Sequence, residues 1–191
     1  MTTRVVIAED EAIIRLDLRE MLEEEGYEVV ADCGRGDEAI RLVKEHEPDI
    51  AILDIKMPGL DGLSAAREIA AERRAAVLIL TAFSQRHLIE RARDAGALAY
   101  VTKPFQRNEL VAAIEVAIGR FRDIQGLDAE VKGLTEQLET RKVIDRAKGR
   151  LMDEHGLSEQ EAWRFLQQRA MSNRAKVHEV AQQVVDGDVA P

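Results

Sequence analysis

Five short runs of β-branched and aliphatic residues punctuate the first 120 residues, and a segment with helical spacing follows each one. The runs are 4–9, Val29-Val30-Ala31, 49–54, Val77-Leu78-Ile79-Leu80 ending at Thr81, and Leu98-Ala99-Tyr100-Val101. Runs this short and this uniformly apolar read as parallel strands covered on both faces. Between the first two, Ile13, Leu16, Leu18, Met21 and Leu22 lie at helical spacing within 12–25, which stops at Gly26. Helices are also predicted over 36–46, with Ala39, Ile40 and Val43 inward, then over 63–72 and 85–95, and Asn108 opens a fifth. Right-handed crossovers between five such units give an α/β fold: a doubly wound, five-stranded parallel sheet of order 2-1-3-4-5.

Sheets of this kind place ligands at the carboxyl ends of their strands. Glu9 and Asp10 close the first run and Asp54 closes the third, so three carboxyl groups converge there. Converging carboxylates repel unless a cation neutralises them, and hard oxygen donors suit Mg²⁺. Lys103, followed by Pro104, ends the fifth run and adds a positive charge to the same edge. A carboxylate among a metal and a lysine is suited to accept a phosphoryl group.

Composition narrows the alternatives. A chain of 191 residues holds one large or two small domains. Its net charge of −9 argues against indiscriminate binding to polyanions or acidic membranes. Cys33 is the only cysteine, which excludes an internal disulfide and a cysteine-based zinc site. No apolar run approaches the roughly 20 residues of a membrane span, and the N-terminus lacks a signal-peptide core. A cytoplasmic location without a membrane partner is expected.

From about Arg120 the alternation stops. Ile124, Leu127, Val131, Leu134 and Leu138 form a stripe at coiled-coil spacing, weakened by Gly126 and Gly133, with Arg141 in the next apolar slot. The stripe predicts a helical connector over 121–138, which either pairs with another helix or lies on its own domain. Three helical segments follow, through about residue 153, over 158–171 and over 174–185. Ser158 and Glu161 form a capping box for the second. They predict a three-helix bundle over 128–186, overlapping the connector, and a disordered tail over 187–191.

Residues 141–176 hold nine Lys/Arg against five Asp/Glu in an otherwise acidic chain. Lys142, Arg146 and Arg150 recur at intervals of four and form a basic stripe, either a solvated, ion-paired face or a binding surface. Gly149 inside a helix implies close approach of another helix or a ligand. Trp163, the only tryptophan, either joins Phe165 and Leu166 in a core or serves as a stacking platform.

Residues 4–120 resemble the receiver domain of two-component response regulators. The resemblance rests on Glu9-Asp10, Asp54 with Met57-Pro58-Gly59 and Asp61-Gly62, Thr81-Ala82, Tyr100, and Lys103-Pro104-Phe105. It implies a flavodoxin-like domain over 1–120 in which Asp54 takes phosphate from the phosphohistidine of a sensor histidine kinase. Asp10, Asp54 and the backbone carbonyl of Lys56 would hold Mg²⁺, with Glu9 acting directly or through water. Lys103 would pair with the acyl phosphate, and its bond to Pro104 would be cis. Thr81 would donate its hydroxyl to the phosphoryl group, drawing in the loop that starts at Ala82, and Tyr100 would change rotamer with that loop. Glu9 stands where aspartate is more usual.

Residues 128–186 resemble the ANTAR domain. The stretches that carry this are 141–152, Gly156-Leu157-Ser158-Glu159-Gln160-Glu161-Ala162, Arg169-Ala170-Met171, and Val177 to Val180-Ala181; Trp163 replaces the commoner tyrosine or phenylalanine. The resemblance implies a bundle that binds paired RNA hairpins in nascent transcripts and prevents transcription termination. Arg141, Lys142, Arg146, Lys148, Gly149, Arg150, Arg169 and Arg174 are the candidate RNA contacts. The expected protein is thus a phosphorylation-controlled regulator, not an enzyme, with homodimerisation on activation. A DNA-binding or protein-interaction output is the alternative.

Overall fold

Strand β3 (Ile50–Leu53) lies between β1 (Arg4–Ala8) and β4 (Ala76–Thr81), and all ten side chains of β3 and β4 are buried. That double covering is why these runs contain no polar alternation. The computed structural model describes residues 2–190. Strands β2 (Glu28–Cys33) and β5 (Ala99–Thr102) complete the sheet, whose order is β2-β1-β3-β4-β5 with every pair parallel. The predicted order is therefore observed.

Helices α1 (Ala12–Glu24), α2 (Gly36–His46), α3 (Gly62–Ala71) and α4 (Arg86–Asp94) link the strands, and α5 (Arg107–His155) follows β5. One face of the sheet packs on α2 and α3 through Ile40, Val43, Leu63 and Ile69. The other face packs on α1 and the start of α5 through Leu18, Leu22, Leu110 and Ile114. Within α1, Ile13 and Leu16 turn away from this core and are exposed.

The chain divides into two units after Gly126. Helix α5 belongs to both, since the fifth helix, the connector and the first bundle helix form one element of 49 residues. No proline interrupts 107–155, and Gly126 and Gly133 weaken a helix by only about 1 kcal/mol each without ending it. In the second unit α5 packs with α6 (Glu159–Asn173) and α7 (Val177–Asp186). The bundle core consists of Ala147, Leu151, Ala162, Leu166, Ala170, Val180, Ala181 and Val184. The Ser158 box forms as predicted: Glu161 N–H donates to Ser158 Oγ at 3.3 Å, and Ser158 N–H donates to Glu161 Oε2 at 2.9 Å.

In the predicted tail, Gly187 adopts φ 88° and Asp188 N–H donates to the Gln183 carbonyl at 2.9 Å, so these residues close α7. Val189 packs against the bundle, and Pro191 lies outside the described residues.

Candidate functional site

Parallel pairing of Ala8 with Leu53 brings the residues that follow, Glu9 and Asp54, level at one sheet edge. Backbone bonds fix both: Asp54 N–H donates to the Ala8 carbonyl at 2.9 Å, and Glu9 N–H to the Cys33 carbonyl at 2.9 Å. One carboxylate oxygen from each of Glu9, Asp10 and Asp54 falls within 4.8 Å of the others. Glu9 and Asp54 are buried, whereas Asp10 is exposed. Three hard donors at this spacing, open on the Asp10 side, fit a divalent cation.

The loop after Asp54 returns tightly. Gly62 N–H donates to the Ile55 carbonyl at 2.9 Å, and a Cβ on Gly62 would stand 1.8 Å from the Asp54 carbonyl oxygen. Only glycine fits there, which explains the Asp61-Gly62 pair of the sequence. The adjoining cleft is lined by Asp10, Lys56, Met57, Asp61 and Arg91.

Lys103 reaches the acids from the end of β5. Its Nζ is ion-paired with Glu9 Oε2 and lies 3.7 Å from Asp54 Oδ2. The Lys103-Pro104 bond is cis. Asp54 Oδ1 accepts from Ile55 N–H at 2.8 Å, which leaves Oδ2 toward the lysine. Burial pushes the Glu9 carboxyl above its ordinary range, and the Lys103 ammonium opposes that shift.

Thr81 closes β4 at full burial, and its hydroxyl has no hydrogen-bond partner among the described residues. Ala82 is exposed beside it. The Tyr100 hydroxyl donates to the Phe83 carbonyl, tying β5 to the loop that Ala82 begins. Burial, then the Asp54 charge, pushes the Tyr100 phenol up. The Lys56 ammonium rests 4.4 Å from the centre of the Phe83 ring, a second link between the Asp54 loop and the same segment.

Sequence reasoning missed Arg15. Its Nη1 donates to the Glu9 carbonyl, and its Nε pairs with Asp32 Oδ1 at 3.0 Å. Asp32 lies in the neighbouring strand β2, so only the sheet order could have exposed this brace.

In the output bundle the candidate cations divide into two groups. Arg141 lies 3.8 Å from Asp145, Lys142 is 2.7 Å from Glu139, and Lys148 pairs with Asp145 at 3.0 Å and Glu159 at 2.8 Å. Arg150 pairs with Glu154 at 2.8 Å and also donates to the Val184 and Val185 carbonyls at 3.2 and 2.6 Å, capping α7. Arg146, Arg169 and Arg174 are exposed and form no ion pair among the described residues. At Gly149, a Cβ would meet no atom within 4 Å, so no helix of this chain accounts for the glycine. Trp163 is 37% exposed and stands outside the bundle core.

The acid cluster, the lysine and the buried threonine hydroxyl thus gather at the carboxyl ends of β1, β3, β4 and β5. Consistent with that geometry, the family model of the response regulator receiver domain matches residues 5–115, and that of the ANTAR domain matches residues 132–185. The chain belongs to the response regulators that join a receiver domain to an ANTAR domain. It is 54% identical to the transcriptional regulatory protein PdtaR of Mycobacterium tuberculosis, over 96% of this chain and 89% of that one. It is 36% identical to the chemotaxis protein CheY of Bacillus subtilis over 60% of this chain and 96% of that protein. Among solved structures, it resembles the receiver domain of a sensor histidine kinase from Pseudomonas aeruginosa, with a magnesium ion coordinated in its active site cleft. The TM-score is 0.57 at 32% identity, covering 62% of this chain and 99% of that one. A LuxR-family DNA-binding response regulator from Staphylococcus aureus gives a TM-score of 0.58 at 34% identity, covering 61% and 98% respectively.

Proposed function

We propose that this response regulator accepts a phosphoryl group on Asp54 from a histidine kinase and thereby controls binding of its ANTAR domain to RNA hairpins, preventing transcription termination. The observation that carries the receiver half is Asp54 itself, a buried acid with one oxygen facing Lys103 and two acids within 4.8 Å. A Mg²⁺ ion held by Glu9, Asp10, Asp54 and the Lys56 carbonyl would neutralise the anions brought together during transfer. Asp54 supplies the attacking carboxylate oxygen. Lys103 then moves its ion pair from Glu9 toward the new phosphoryl oxygens, and the unpartnered Thr81 hydroxyl gains an acceptor. Bonding Thr81 draws on the segment that Phe83 shares with Tyr100 and Lys56.

For the output half, Arg146, Arg169 and Arg174 offer cations for RNA phosphates, joined by Arg141, Lys142 and Lys148 once phosphate displaces their carboxylate partners. The exposed ion pairs of Arg141 and Lys142 hold by at most about 1 kcal/mol, so exchange there is easy; Lys148, 18% exposed and held by two carboxylates, exchanges less readily. The open flank of Gly149 allows RNA to approach the α5 backbone. The exposed stripe of Leu127, Val131, Leu134 and Leu138 supports pairing of two copies on activation, so that each grips one hairpin. The protein acts as a cytoplasmic regulator; the only chemistry assigned to it is at its own Asp54.

The test is incubation of the full chain with a small-molecule phosphodonor and Mg²⁺, with intact mass and sedimentation measured for wild type and Asp54→Asn. One added phosphoryl group and a doubled mass in solution, in wild type alone, support this reading. Phosphorylation of the variant, or an unchanged mass in solution, contradicts it.

A further inference from the structure

We infer that Trp163 is the stacking wall of a nucleobase pocket on the output bundle, built to receive one unpaired base of the bound RNA. The inference rests on the RNA reading above and gives that interaction a specific contact.

The bundle core closes without Trp163. Alanine, leucine and valine side chains of α5, α6 and α7 fill it, and the indole remains 37% exposed. It lines a groove between α6 and α5, opposite a row formed by Gly133, Gln137, Thr140 and Ile144 at helical spacing, with Arg141 at the rim. Gly133 leaves one end open, because a Cβ there would meet nothing within 4 Å. Ile144 and the indole give the groove an apolar floor. Gln137 and Thr140 form no side-chain hydrogen bond to the protein among the described residues, so an amide and a hydroxyl lining the groove are available to a ligand.

That chemistry selects between occupants. A second helix would bury Gln137 and Thr140 against apolar side chains, leaving polar groups unpaired. The surface suited to a helix is the stripe of Leu127, Val131, Leu134 and Leu138, about a third of a turn around α5 from this row. A nucleobase matches the groove in both respects: its face stacks on the indole, and its edge carries donors and acceptors for the amide and hydroxyl. Arg141, 82% exposed and only 3.8 Å from its carboxylate partner, is placed for the adjoining phosphate. Glu136 lines the same groove and repels phosphate, so the RNA backbone enters on the Arg141 side.

Trp163 is the chain's only tryptophan, so its fluorescence reports on this groove alone. The full chain is titrated with a hairpin RNA bearing an unpaired loop, and with the same stem as a blunt duplex. The hairpin should quench the emission and the duplex should not. Trp163→Ala should weaken hairpin binding roughly tenfold to hundredfold without changing its salt slope, whereas Trp163→Phe retains most of it. Should Trp163→Ala lose helix content, Gln137→Ala and Thr140→Ala serve instead, each weakening the hairpin and not the duplex. Hairpin binding with unaltered emission and unaltered affinity of the Trp163 and Gln137 variants overturns the pocket and leaves the RNA function standing. Emission that changes with protein concentration alone assigns the groove to a second copy and also overturns it. Failure of wild type to bind any RNA overturns both readings.

Discussion

Lys103 stands between two carboxylates, its ammonium paired with Glu9 Oε2 and 3.7 Å from Asp54 Oδ2. Glu9 is 1% exposed and the lysine side chain 12%, so this pair is screened little by solvent. A metal ion held by these acids would compete with the lysine for them. Lys103→Met should therefore bind Mg²⁺ about tenfold more tightly by calorimetric titration. The metal-free variant should lose about 2 kcal/mol or more of stability, because Glu9 is left buried without its counter-ion, and Mg²⁺ should restore it. Equal or weaker Mg²⁺ affinity would contradict competition.

Among the described residues the buried Thr81 hydroxyl has no hydrogen-bond partner. Replacement by the isosteric valine removes that unsatisfied group, so Thr81→Val should match or exceed wild-type stability by up to about 1 kcal/mol in urea. The same variant should take up phosphate at Asp54 yet lose the phosphorylation-dependent response. A marked loss of stability would show that the hydroxyl already has a partner in solution.

Arg150 and Arg146 should separate cleanly. Arg150→Ala loses its bonds to the Val184 and Val185 carbonyls and should destabilise the bundle by about 1–3 kcal/mol. Arg146→Ala should leave the melting curve nearly unchanged, weaken RNA binding and lower the salt slope by about one. Thermal melts and RNA titrations at two salt concentrations check both.

Leu134 is 54% exposed and Val131 62% exposed. Leu134→Glu should leave the fold intact but prevent association of the phosphorylated protein in sedimentation. Unimpaired association would move the interface away from this stripe.

The sheet and the acid site were legible because they depend on local pattern. Apolar runs without alternation mark covered strands, and a parallel sheet gathers the ends of those runs on one edge, so Glu9, Asp54, Thr81 and Lys103 converge once the order is known. Arg15 was hidden because its partners, Asp32 and the Glu9 carbonyl, come from two neighbouring strands. Helix α5 runs unbroken through Gly126 and Gly133, because glycines weaken a helix without ending it.

The spacing of four predicts Arg150 on one face with Lys142 and Arg146. A spacing of four drifts about 40° per step around an α-helix, enough to turn Arg150 toward α7. Trp163 could not be assigned from composition, since smaller side chains of three helices close the core beside it.

The most direct test is affinity for a two-hairpin RNA, measured for wild type and Asp54→Ala with and without phosphodonor and Mg²⁺. Phosphodonor should tighten binding in wild type only, and high salt should weaken it steeply. RNA affinity that is identical in all four conditions would contradict control of the ANTAR domain by Asp54.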